Sequence, residues 1–194
     1  MDTQQSSVHA QKALGTAFGA DPQLLRVLPT EYERFRLQAT MGALSRKSYT
    51  HAFEPGCAAG ELTALLARTC DRVSAIDISS GAVARARLRC AHWRNVDIRC
   101  ADVRIQLPED PLDLIVFSEI GYYFSPPELV RIARALATRM VPGGEFVAVH
   151  WLNPGVGHVL HADAVHCQLL ANLPLRWLTG ERYGGLRIDT WTLS

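Results

Sequence analysis

The chain has 194 residues, which at roughly 100–200 residues per domain corresponds to one domain. Its 48% hydrophobic and 20% charged residues exclude bulk disorder and allow a core without metal or disulfide staples. Twenty Lys and Arg against nineteen Asp and Glu leave a net charge of +1, which excludes a nucleic-acid binder relying on a large basic excess.

Taken in chain order, the stretch from Met1 to Ser7 has neither a basic start nor an apolar run, so no secretory signal is expected. No segment approaches the roughly 20 apolar residues needed to span a membrane. The expected compartment is the cytoplasm. Residues 1–48 read as a helical cover. Asp21 and Pro22 mark a helix start, and a second helix is expected from Glu31 to Lys47, with Phe35, Leu37, Met41 and Leu44 only approximately on one face. Residues 49–151 alternate strand and helix. Ala52 and Phe53 lead into a turn bearing Gly56 and Gly60, and a helix follows through Leu62 to Ala67. Arg72 to Ile76 is a strand ending at Asp77. Ser79 or Ser80 caps a helix running to about Trp93. Val96 to Cys100 and Leu112 to Phe117 are strands. Ser125 opens a helix with a capping box, prolines in its first turn and Leu129, Ile132, Leu136 and Met140 at helical spacing. Pro142 to Gly144 end it and lead to a strand over Glu145 to His150. Residues 152–194 hold a helix from about Gly157 to Leu173, then two strands around a turn-rich Gly180 to Gly185. The expected fold is α/β: a doubly wound, mainly parallel seven-stranded sheet with helices on both faces and a C-terminal antiparallel hairpin.

The five cysteines, Cys57, Cys70, Cys90, Cys100 and Cys167, include no C-x-x-C pair and no zinc-type spacing with histidine. Buried, reduced thiols and no metal site are expected.

In an open parallel sheet, ligands bind beyond the carboxyl ends of the strands. Those ends carry Glu54 to Gly60, Asp77, Asp102, Ser118 with Glu119, and His150 with Trp151. Gly56 and Gly60 would let a ligand lie against the main chain. The dinucleotide fingerprint G-x-G-x-x-G is broken by Ala58 and Glu61, and a pyrophosphate would be repelled by Glu61 at a helix start. Asp77 suits a ribose diol, because a carboxylate accepts both hydroxyl protons. Asp102 could accept from an adenine amino group.

Phe53 to Gly60, Asp77, Cys100 to Asp102, Phe117 to Glu119 and Met140 to Gly144 together resemble, in order, the motifs of the Rossmann-like S-adenosylmethionine-dependent methyltransferases. Ala58 stands where a middle glycine is usual. Glu31 to Arg36, Asp77 to Arg87, Ser118 to Phe124, Val149 to Trp151 and His161 to His166 resemble one member family more closely, the nodulation protein S family of N-methyltransferases. That resemblance implies S-adenosylmethionine as cofactor and S-adenosylhomocysteine as product. It also implies an acceptor: the free amine at the non-reducing end of a de-N-acetylated chitooligosaccharide. The expected partners are therefore a small-molecule or oligosaccharide substrate, with no nucleic acid and no membrane, in a monomer or weak oligomer.

Carried onto this chain, the resemblance places Gly56 and Gly60 at the cofactor's amino-acid end and Arg34 at its carboxylate, with Glu54 among the cofactor-binding residues. Asp77 would hold the ribose, Ile78 and Val103 would flank the adenine with Asp102 on its amino group, and Ser118 and Glu119 would lie beside the sulfonium. Glu119 is the first candidate to hold the amine and take its proton, and His150 the second. Tyr122, Tyr123, His150, Trp151 and Asp163 are the expected acceptor contacts, aromatic faces suiting sugars and cations. Three alternatives stay open: a methyltransferase for another small amine or hydroxyl, a non-catalytic cofactor-binding module, and a dinucleotide oxidoreductase, which Ala58 and Glu61 disfavour.

Overall fold

The computed structural model describes residues 31–153, 155 and 157–194; the helix start expected at Asp21 and Pro22 lies outside them. Helix α1 (Glu31–Gly42) is the first described element and stops short of the expected Lys47. The chain beyond Gly42 is pinned instead to the amino ends of the strands. The Ser45 N–H donates to Glu145 at 3.2 Å, the Tyr49 hydroxyl donates to the same carboxylate at 2.8 Å, and Arg46 donates to the Asp113 carbonyl at 2.8 Å. These bonds turn the chain into β1 (Tyr49–Pro55).

The remaining strands are β2 (Cys70–Asp77), β3 (Val96–Cys100), β4 (Leu112–Ser118), β5 (Met140–Trp151), β6 (Arg176–Tyr183) and β7 (Leu186–Thr192). They form one seven-stranded sheet in the order β3-β2-β1-β4-β5-β7-β6. The first five strands are parallel, and β7 joins β5 antiparallel with β6 outside it. The expected fold class is the one observed. Because β1 and β4 are neighbours, the strand order reverses between them, and a crevice opens beyond their carboxyl ends.

Helices α2 (Glu61–Leu66), α3 (Ser80–Arg89), α4 (Pro126–Ala137) and α5 (Ala162–Asn172) complete the layers. Side-chain alternation along β4 serves both faces. Leu114 and Val116 pack into a cluster with Leu37 of α1 and Leu62 and Leu66 of α2. Ile115 and Phe117 pack with Leu129, Ile132 and Leu136 of α4 and Val165 and Leu169 of α5. A strand buried on both faces reads as a continuous apolar run, which is how β4 stands out in the sequence. Helix α4 starts where its capping box places it, with Ser125 and Glu128 bonded reciprocally.

Several boundaries differ from expectation for visible reasons. Helix α3 ends at Arg89 rather than near Trp93, because the Asn95 amide donates to the Ala67 and Cys70 carbonyls (2.9 and 2.8 Å) and ties the following turn down. Met140 is not helical: it pairs with Leu112 at the start of β5, ahead of a register shift. Helix α5 begins at Ala162, not Gly157, since the N–H groups of Val159 and Leu160 bond the Tyr122 carbonyl instead of a helix. The hairpin turns tightly between Tyr183 and Leu186, and Gly180 lies within β6 opposite Asp189. Cys57, Cys70 and Cys90 are buried thiols, whereas Cys100 and Cys167 are exposed, against expectation.

Candidate active site

A cavity of about 710 Å³ lies at the crevice, walled by the carboxyl ends of β1, β2 and β4 and roofed by α1. Its floor is the turn after β1. The N–H groups of Gly56 and Cys57 both bond the Ile76 carbonyl, at 2.7 and 3.0 Å. Gly56 has φ +78° and faces the cavity. Ala58 follows with φ 47°, a left-handed conformation uncommon outside glycine. Its N–H donates to Asp77 at 2.9 Å, which ties the turn to the end of β2. Gly60 is not on the cavity wall. A Cβ there would sit 3.0 Å from Ala86, so this glycine lets α2 lie against α3; its expected cofactor contact is corrected to a packing role.

Glu54 lines the cavity from β1 and is otherwise buried. Thr63 donates to it at 2.6 Å. Burial pushes its carboxyl up to about 8. Asp77 also accepts the Ser79 N–H at 2.8 Å, and burial raises its pKa too. Ser79 itself caps α3. Ile78, Asp102 and Val103 line the wall beyond β2 and β3. Asp102 is gripped by Arg104, whose Nε and Nη2 lie 2.9 and 2.7 Å from its Oδ2. Any ligand group must therefore share Asp102 with that guanidinium.

At the end of β4, the Ser118 hydroxyl accepts from Arg36 of α1 at 3.0 Å. Glu119 sits at φ 57°, a strained conformation for a residue with a Cβ. Its carboxylate accepts the Tyr122 hydroxyl at 2.7 Å on one oxygen and the Trp151 N–H at 2.7 Å on the other. Burial raises its pKa, opposed by the Tyr122 bond and the Arg36 charge. Each oxygen keeps a lone pair for a further donor.

Tyr123 and Trp151 line the cavity. Tyr122, expected as an acceptor contact, stands behind the wall, 3% exposed and stacked on His158 at 3.6 Å. It reaches the site only through Glu119.

Three further expectations are corrected. Arg34 is exposed and does not line the cavity; Arg36 does. A helix turns 100° per residue, so positions 34 and 36 lie on nearly opposite faces, while Tyr32 and Arg36, four apart, share one. Both were missed in the sequence, where this i, i+4 pair was the available signal. His150 is fully buried and outside the cavity. Its Nε2 accepts the Gly121 N–H at 2.9 Å, so its Nδ1–H donates to His166 Nε2 at 3.1 Å. His166 in turn donates from Nδ1 to Asp189 at 2.6 Å. Burial holds the His150 pKa well below its ordinary value. A neutral imidazole with both nitrogens engaged is neither a base nor an acceptor contact. Asp163 also lies away from the cavity, bonded to Arg187 at 2.8 Å and paired with Arg182. Its neighbour His161 caps α5.

Comparison with known proteins fits this picture. The family model for nodulation protein S (NodS) matches residues 12–173. Nodulation protein S of Sinorhizobium fredii is 33% identical over 153 residues, covering 77% of this chain and 70% of the relative. A putative methyltransferase from Pseudomonas syringae is 34% identical, with a TM-score of 0.74 over 84% of this chain and 99% of that one. The N-methyltransferase NodS from Bradyrhizobium japonicum WM9, in complex with S-adenosyl-L-homocysteine, has a TM-score of 0.80 over 97% and 98% of the two chains. At 24% identity the last is a likeness of fold. No helix among the described residues is long and apolar enough to cross a membrane.

Proposed function

The chain belongs to the nodulation protein S family, and from that premise we propose that it methylates the free amine of the non-reducing-end glucosamine of a de-N-acetylated chitooligosaccharide. On this reading it is an S-adenosylmethionine-dependent N-methyltransferase with S-adenosylmethionine as its cofactor, which its membership of that family supports. The residues present fit that cofactor. Asp77 offers a carboxylate to a diol, Ile78 and Val103 offer apolar surface to a base, and the Arg36 guanidinium offers donors to a carboxylate. Asp102 with Arg104 offers both acceptor and donor edges. When bound, the cofactor supplies an electrophilic methyl group on a cationic sulfur.

The observation that carries the reading is Glu119: a part-buried carboxylate at the end of β4, held by two donors yet open to the cavity. Its task is to hold the amine and accept its proton, since an ammonium has no lone pair. The raised pKa brings it closer to the operating range of a base. Fixing the nitrogen in one place supplies several kcal/mol through orientation. Tyr123 and Trp151 line the site with aromatic side chains of the kind that favour a sugar or a cation.

The test is mass spectrometry of a competition assay with S-adenosylmethionine and two chitooligosaccharides, one de-N-acetylated at its non-reducing end and one fully acetylated. A one-methyl gain on the free-amine sugar alone is expected. No gain on either sugar, with cofactor still bound, would overturn the acceptor and move the search to other small amines and hydroxyls.

A further inference from the structure

Tyr32, in the first turn of α1, lines the cavity. Its hydroxyl oxygen is buried and has no hydrogen-bond partner among the described residues. Buried hydroxyls without partners are rare, because a protein loses water's hydrogen bonds and gains nothing in return. Its ring lies against Trp151, centroids 4.7 Å apart at 33°. Two neighbouring donors are already spent: the Trp151 main-chain N–H on one Glu119 oxygen and the Tyr122 hydroxyl on the other. Tyr32, Trp151 and Glu119 thus gather at the carboxyl ends of β4 and β5, across the crevice from Asp77 on β2. The negative charge of Glu119 adds to burial in raising the phenol's pKa, which fits a protonated hydroxyl near that carboxylate.

We propose that the Tyr32 hydroxyl and the Glu119 carboxylate together hold the acceptor amine, each taking one N–H, with the Trp151 ring fixing the phenol in place. This rests on the amine-methylation reading above. A primary amine has two N–H groups and one lone pair. Engaging both N–H groups leaves the lone pair with a single direction, which is what an in-line displacement requires. The lone pair forms the N–C bond, the S–C electron pair returns to sulfur as a neutral thioether, and one proton of the resulting ammonium passes to Glu119. A hydroxyl acceptor has only one hydrogen and cannot satisfy both oxygens, so the pair also selects amines over alcohols.

The test is Tyr32→Phe, which removes one oxygen and keeps the ring on Trp151. Relative to the full-length parent, kcat/KM for the free-amine sugar is expected to fall about tenfold to a hundredfold, the scale of one lost hydrogen bond in a desolvated site. Affinity for S-adenosylhomocysteine by calorimetry should stay within about twofold, and Tm should hold or rise, because an unpaired buried hydroxyl is gone. Unchanged kcat/KM beside an active parent overturns the proposal alone. A cofactor affinity that falls in step with kcat/KM overturns it by assigning the hydroxyl to the cofactor. A lower Tm with unchanged turnover per folded molecule overturns it by assigning the hydroxyl to structure. A parent that methylates no amine overturns the underlying reading and the proposal with it.

Discussion

Two polar clusters stand side by side at the ends of β4 and β5, and they are built on opposite terms. In the cavity, Ala58 and Glu119 are held at positive φ, Glu54 keeps a carboxyl near 8, and the Tyr32 hydroxyl has no partner among the described residues. Behind the cavity, the polar ring atoms of His150 and His166 are satisfied in one run from the Gly121 N–H to Asp189. Arg187 and the Trp177 indole close its far end. Adjacent residues on one strand feed the two clusters. Trp151 goes to the cavity and His150 to the α5 side, because successive side chains alternate across a sheet. A polar residue at a strand end is thus not a site residue by position. What separates the two is whether its bonds are already spent.

The largest effect that would sharpen this contrast is on stability. His166→Ala leaves the His150 Nδ1–H without its partner in a fully buried place and takes one of two donors from Asp189 Oδ2, which keeps Arg187. It is expected to cost about 2–5 kcal/mol in urea denaturation while leaving cofactor affinity of the folded protein within a few-fold. A cost under about 1 kcal/mol would deny the array its clamping role. Next comes Asp77→Asn, expected to weaken S-adenosylhomocysteine binding about tenfold to a hundredfold by calorimetry. An unchanged affinity would show that Asp77 merely ties Ala58 to Ser79.

The smallest effect is a pH slope, and its sign differs between the clusters. Glu54 has a pKa raised from its ordinary 4.5 to about 8, so the folded form keeps a proton the unfolded chain has released. Its contribution to stability is full below about 4.5 and is lost as pH rises through about 8. His150 has a pKa depressed from its ordinary 6.5, so its contribution is present above 6.5 and lost as pH falls. In denaturation across pH, Glu54→Gln should flatten only the alkaline limb and His150→Phe only the acid limb. If both variants change the same limb, the two clusters are not electrostatically distinct.

Much of this was legible in the sequence, and the failures share a cause. The β4 run of Leu112 to Phe117, the capping box at Ser125 and the glycine turn after β1 announce themselves locally, through periodicity and end signals, and they fix the crevice. Asp77, Asp102, Ser118, Glu119, Tyr123 and Trp151 were expected because strand ends point at a ligand in this topology, and Ile78 and Val103 because of the family resemblance; all of them line the cavity. His150, Asp163 and Gly60 misled because their partners are remote in sequence: His166 and Asp189, Arg187, and Ala86. Arg34 misled because a weakly amphipathic helix does not say which face meets the sheet. Only the docked helix shows that Tyr32 and Arg36 turn inward.

The most direct measurement is a matched pair, Glu119→Gln and His150→Phe, each assayed for amine methylation at saturating cofactor and for unfolding in urea. The expected result is a split. Glu119→Gln loses about 10²–10⁴-fold in kcat with a modest stability change, while His150→Phe loses stability and keeps the kcat of its folded fraction within a few-fold. The contradicting result is the reverse: turnover lost with His150 and kept without the Glu119 carboxylate, which would move the chemistry into the buried array.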